Sequence, residues 1–201
     1  MKTHFLLDPT ITFLNHGSFG ATPRPVFEAK MALQREMEAD PVHFIQKKLP
    51  NYLKEAKYPL AEFLGCEAND FFFTPNPTQA INTIMRSLQL QPGDEILATN
   101  HEYGAMDRTW NFYCKKSGAK YIRQNITLPI TSKEQIIADF WKGYTSKTKV
   151  VFINQISSST ALIFPVKEIC DKAQELGLIT IVDGAHVPGH IPLNLHELNP
   201  D

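Results

Sequence analysis

Three stretches of this chain are apolar through their centres: "DEILAT" (Asp94–Thr99), "KVVFINQ" (Lys149–Gln155) and "LITIVD" (Leu178–Asp183). A strand with one wet face alternates apolar and polar residues, so an unbroken apolar run demands cover on both faces. The segments between them supply that cover. "PTQAINTIMRSLQL" begins at Pro77, a helical stretch runs from about Tyr103 to Lys116, and "SKEQIIADFWKGY" places Ile136, Ile137, Phe140 and Trp141 on one helical face. "PVKEICDKAQELGL" has Pro165 at its start and Gly177 near its end, as a helix prefers. "DFFFT" (Asp70–Thr74) and "AKYIRQNI" (Ala119–Ile126) read as further strands. The fold class is therefore α/β, a mostly parallel sheet with helices on both faces. Before residue 65 the pattern is helical and amphipathic, interrupted by Pro23, Pro25, Pro41 and Pro50. Residues 1–50 read as an N-terminal arm and helix, and residues 51–201 as part of the α/β domain.

Charge excludes some partners. Of 201 residues, 20 are Lys or Arg and 21 are Asp or Glu, a formal net charge of −1. That balance provides no basic footprint for nucleic acid or an anionic membrane surface. No apolar run approaches the ~18 residues that span a bilayer. Cys66, Cys114 and Cys170 lie far apart and form no C-x-x-C pair, so they read as reduced thiols of a cytoplasmic protein.

Ligands of open α/β sheets bind beyond the carboxyl ends of the strands. After "FFF" come Thr74-Pro75-Asn76-Pro77-Thr78-Gln79, and after "EILAT" come Asn100-His101-Glu102-Tyr103. After "VVFIN" come Gln155-Ile156-Ser157-Ser158-Ser159-Thr160, and after "ITIV" come Asp183-Gly184-Ala185-His186. Each cluster has an ordinary reading. Asn76 with Pro77 and Gln79 is a helix-start signature, Tyr103 is a core aromatic, "SSST" is a polar loop, and Asp183 caps a turn. Each also has a functional reading. A helix start with the Thr78 hydroxyl attracts a phosphate, the Tyr103 ring can lie against a flat heteroaromatic ligand, and a buried Asp183 needs a cation. Asp183, His186 and His190 are an alternative metal set, although Pro188 and Gly189 oppose the helix that would align the two imidazoles. No G-x-G-x-x-G follows any strand, which disfavours a dinucleotide site.

Taken in order, "FLNHGSFGATPRPV", "FTPNPTQAINTI", "PGDEIL", "HEYGA", "SSSTALIFPVKEI" and "VDGAHVPGHIPL" resemble the class V aminotransferase family of pyridoxal 5′-phosphate enzymes, most closely its isopenicillin N epimerase-like branch. The resemblance covers almost the whole chain and implies the large domain of a fold-type I enzyme. It implies that Asp183 pairs with the pyridine nitrogen, His186 and Ser158 lie near the ring's 3-oxygen, and Thr78 with Asn76 holds the phosphate. Tyr103 would stack on the ring, with His101 as the alternative. Asn15, His16 and Gly17 resemble a segment near the substrate. Pro77 departs from a full phosphate cradle because it has no N–H. In the family the Schiff-base lysine follows the aspartate by about a strand and a turn. Lys167 and Lys172 precede Asp183, so that lysine is expected beyond Asp201. The small C-terminal domain is likewise expected to be absent, and the 201-residue chain inactive alone. The resemblance further implies a homodimer and an amino acid substrate that is epimerised, transaminated or cleaved at a C–S bond. A non-enzymatic α/β binding module, as a degenerate relative, is the alternative.

Overall fold

The structure is a computed structural model that describes residues 2–201. It divides into two compact units, Met1–Glu62 and Phe63–Asp201. The first contains α1 (Arg24–Ala39), α2 (Pro41–His43) and most of α3 (Leu49–Leu64). Pro23 and Pro25 flank the start of α1, and Asp40 caps α2 by accepting the His43 N–H at 3.1 Å. Pro50 does not interrupt the chain as expected, because it lies in the first turn of α3. A wider π-type turn over Phe44–Lys48 precedes it, the register change with which a helix absorbs a residue lacking an N–H.

The second unit is built on β1 (Glu95–Thr99), β2 (Lys120–Gln124), β3 (Thr148–Asn154) and β4 (Ile179–Asp183), all parallel in the order β2-β1-β3-β4. Four helices cover it: α4 (Pro77–Ser87), α5 (Gly104–Ser117), α6 (Lys133–Trp141) and α7 (Val166–Glu175); a short α8 (Leu195–Leu198) follows. Alternate strand residues point to opposite faces. Ile96, Ala98, Val150, Phe152 and Ile181 pack with Ile81 and Met85 of α4 and with Met106, Trp110 and Cys114 of α5. Leu97, Val151, Ile153 and Val182 pack on the other face with Ile136 and Phe140 of α6 and Val166, Ile169 and Ala173 of α7. Burial on both faces is what the apolar runs demanded. "DFFFT" is not a strand. An apolar run becomes one only by exchanging backbone hydrogen bonds with a neighbour. Instead Phe72 and Phe73 are exposed, and the segment leads into the start of α4.

Two features of this topology place a site. Leu88–Asp94 connects α4 to the start of β1, and α5 leaves from β1's carboxyl end. The Tyr113 hydroxyl donates to the Leu88 carbonyl at 2.6 Å, so the two helices end together at the amino edge of the sheet. Their N-termini therefore share the carboxyl edge. The second feature is a change of direction. From β1 the chain crosses by α5 to β2, and from β3 it crosses by α7, on the opposite face, to β4. The carboxyl ends of β1 and β3 thus flank the crevice where open sheets bind ligands. Among the described residues no helix is long and apolar enough to cross a membrane.

Candidate active site

Asp183 ends β4, two residues beyond Ile181, and pairs in register with Asn154 of β3, two beyond Phe152. Both side chains therefore stand on the α4/α5 face at the carboxyl edge, where those helices begin. Asp183 is only 7% exposed. Its Oδ1 accepts the Ala185 N–H at 3.0 Å, so the turn-capping role is present. Its other oxygen has no hydrogen bond, and no cation forms an ion pair with it, among the described residues. Burial raises its carboxyl above the ordinary range, and the Ala185 N–H and the His186 ring lower it less. A buried carboxylate with one oxygen unmatched is what a cationic ligand nitrogen needs. His186 is half-buried and follows in the turn closed by the Val187 N–H to the Gly184 carbonyl at 2.9 Å.

The start of α4 has limited anion-binding capacity. Asn76 Oδ1 accepts the Gln79 N–H at 2.9 Å, its carbonyl accepts the Ala80 N–H at 3.2 Å, and Pro77 has no N–H. The Asn76 side chain is thus occupied as a helix cap. The Thr78 N–H and hydroxyl are left to meet an anion, helped by the helix dipole. Tyr103 stands at the start of α5 with 49% of its surface exposed. His101 is buried instead, with Nε2 3.2 Å from the Ile126 carbonyl and its ring tilted against Phe164. Of the two, Tyr103 has the free ring face.

Ser158 is exposed in the loop after β3. The loop is organised by Ser157, whose hydroxyl accepts the Leu162 N–H at 3.2 Å and lies 2.5 Å from the Thr160 hydroxyl. Asn15, His16 and Gly17 belong to the first unit and are exposed there. The His16 ring packs edge-on against Phe13 at 4.7 Å, and Asn15 Oδ1 accepts the Ser18 N–H at 3.4 Å. Among the described residues, no three His, Cys, Asp or Glu side chains gather closely enough to hold a metal ion.

Glu102 went unnoticed in the sequence between His101 and Tyr103, yet it is the most connected side chain at this edge. It is 8% exposed. Oε1 accepts the Thr99 N–H at 3.2 Å and the Thr99 hydroxyl at 2.6 Å. Oε2 accepts the Asn154 N–H at 2.9 Å and its Nδ2 at 2.7 Å. Burial nonetheless pushes the carboxyl up to about 7, against the hydrogen bonds from Thr99 and Asn154. A carboxyl raised on folding holds its proton longer in the native state than in the unfolded chain. Its stabilisation is complete below the ordinary value of 4.5 and is lost as pH rises to about 7. By this group alone the protein should lose ~3 kcal/mol of stability across that window. Glu102→Gln should flatten the dependence, as read from denaturant unfolding at a series of pH values. An unchanged slope would refute the assignment.

The comparisons with known proteins agree with one another. The isopenicillin N epimerase of Amycolatopsis lactamdurans is 33% identical over 198 residues, covering 97% of this chain and 50% of that protein. The hercynylcysteine sulfoxide lyase of Schizosaccharomyces pombe is 25% identical over 201 residues, covering 100% and 51%. The chain thus spans about half the length of the curated relatives it matches. Among solved structures, a C-DES mutant with glycine covalently linked to the PLP-cofactor superposes with a TM-score of 0.90 at 22% identity, covering 100% of this chain and 54% of that one. The complex of the cystine C–S lyase C-DES with cysteine persulfide gives 0.87 at 22% identity, covering 96% and 52%. Those likenesses establish the fold. The profile of the class-V aminotransferases matches residues 13–201, and this chain belongs to that family.

Proposed function

We propose that this chain forms the ring- and phosphate-holding part of a pyridoxal 5′-phosphate-dependent enzyme acting on an amino acid. The observation that carries the reading is Asp183: a buried carboxylate with one oxygen unmatched, on the same face and edge as the starts of α4 and α5. When bound, the cofactor withdraws electrons from the substrate's α-carbon. Asp183 holds a proton on the ring nitrogen, and so keeps the ring cationic. Tyr103 covers a ring face and excludes water from it. The Thr78 N–H and hydroxyl orient the phosphate at the start of α4. His186 would hold the 3-oxygen side, with Ser158 a more distant contributor. Asn15, His16 and Gly17 stay the proposed substrate-side segment by their resemblance to the family. The isopenicillin N epimerase and hercynylcysteine sulfoxide lyase relatives support an amino acid substrate, with epimerisation, amino transfer or C–S cleavage as the outcome. The free cysteines Cys66, Cys114 and Cys170 accord with a reducing, cytoplasmic setting, and the working enzyme is proposed to be a homodimer.

Among the described residues of the Phe63–Asp201 unit, no lysine stands at this edge to meet the cofactor aldehyde. Within the Phe63–Asp201 unit, Lys115 and Lys116 lie at the far end of α5, and Lys120, Lys147 and Lys149 lie at strand starts. Lys133, Lys142, Lys167 and Lys172 lie with α6 and α7, on the opposite face. The 201-residue chain should therefore bind pyridoxal phosphate reversibly and show no turnover of amino acids. Borohydride reduction of the mixture, followed by mass mapping, should label no single lysine stoichiometrically. Full labelling of one internal lysine would overturn this. Absence of any saturable absorbance or fluorescence change on adding pyridoxal phosphate would overturn the cofactor reading itself.

A further inference from the structure

We propose that Glu102 is a positioning residue: by tying the carboxyl ends of β1 and β3 across the crevice between them, it fixes Tyr103 relative to Asp183. The inference rests on the cofactor reading above. Strand alternation places the Thr99 side chain on the α6/α7 face, with Leu97, and the Asn154 side chain on the α4/α5 face, with Phe152. Glu102 therefore straddles the sheet, receiving both donors of Thr99 on one oxygen and both donors of Asn154 on the other. Asn154 Nδ2 also donates to the His101 carbonyl at 3.1 Å, and the His101 N–H donates to the Thr99 hydroxyl oxygen at 3.1 Å. The loop from Thr99 to Tyr103 is thus closed on itself and stapled to β3.

This is the place where the staple matters. The connections from β1 and β3 leave on opposite faces, so no crossover helix bridges their ends. Asn154 stands beside Asp183 in the ladder, and Tyr103 is the next residue after Glu102. Any loosening between β1 and β3 changes the gap between the Tyr103 ring and the Asp183 carboxylate, which is the gap a planar ligand must fill. Asn154 Oδ1 is buried without a donor among the described residues, so the strand-end amide is oriented through its Nδ2, by Glu102 and by the His101 carbonyl of the same loop. The carboxylate accepts four hydrogen bonds, and a proton on it must displace one of them. Other ionisable groups face this region. They are the Tyr121 phenol of β2, which burial and the Glu102 charge hold above its usual range; Asp107 of α5, which accepts from Tyr121 and pairs with Arg123; the His101 ring; and Asp183 of β4.

Two variants test the proposal in the 201-residue chain, with pyridoxal phosphate as the probe and its dissociation constant as the reading. Glu102→Gln retains the size but cannot accept from both Thr99 and Asn154. Thr99→Val removes one donor on the face away from the ligand, where a direct ligand contact cannot explain an effect. Glu102→Gln should weaken binding at least tenfold at pH 8, and Thr99→Val three- to fivefold. The ratio of variant to wild-type affinity should shrink toward pH 6, as Glu102 protonates in the wild type; the ratio removes the cofactor's own titration. A merely structural residue would lower thermal stability without that pH-dependent ratio. Wild-type binding that both variants preserve within twofold overturns this inference alone. No binding by the wild type overturns the cofactor reading and this inference with it.

Discussion

Replacing Asp183 with asparagine should weaken pyridoxal phosphate binding about thirtyfold, ~2 kcal/mol, the scale of a hydrogen bond to a charged group. The same change should leave the ligand-free protein as stable as the wild type, or more stable, at pH 8. Both effects come from one environment. The side chain is buried and its ionised form is disfavoured there. Without a cationic partner, the carboxylate costs stability at any pH above its ordinary titration range, because the folded state prefers the protonated form. Asparagine keeps an acceptor for the Ala185 N–H and removes the buried charge. A residue retained only to cap its turn would show neither the loss of affinity nor the gain in stability. Thermal unfolding and fluorescence titration on the same two proteins read both quantities.

Replacing Trp110, the largest fully buried side chain, with alanine should cost about 3–5 kcal/mol. Trp110 is completely buried on α5, stacks on Tyr121 of β2 with centroids 6.2 Å apart, and tilts against Phe152 of β3 at 5.4 Å. It therefore seats α5 across the strands. Its indole N–H has no acceptor among the described residues, so Trp110→Phe loses volume without losing a hydrogen bond and should cost much less. Denaturant unfolding with an unchanged m-value checks both. Because α5 begins at Tyr103, the alanine variant should also lose cofactor affinity in proportion to the fraction unfolded.

The sheet was readable because its central strands are apolar on both faces and α4 and α7 carry start signals, Asn76-Pro77 and Pro165. The strand ends were readable for the same reason: a polar residue that terminates an apolar run, as Asp183 does, must lie at an edge. What the sequence concealed were matters of partner choice. "DFFFT" has the composition of a strand but makes no ladder. Pro50 looks like a break, yet a preceding π-type turn accommodates it. His101 stood as the alternative to Tyr103 until the Ile126 carbonyl, 25 residues away along the chain, was seen to hold its ring. Glu102 reads as a solvated charge until β1 and β3 are known to be neighbours, since its partners Thr99 and Asn154 lie on both.

The role proposed for Asp183, at the end of β4, is to hold a proton on a bound ring. Nitrogen NMR of pyridoxal phosphate, isotopically labelled at the ring nitrogen and bound to this chain, tests that most directly. The expected result is a protonated ring nitrogen at pH 8 in the wild type and a deprotonated one with Asp183→Asn. A bound ring that is deprotonated in both, or protonated in both, would contradict it.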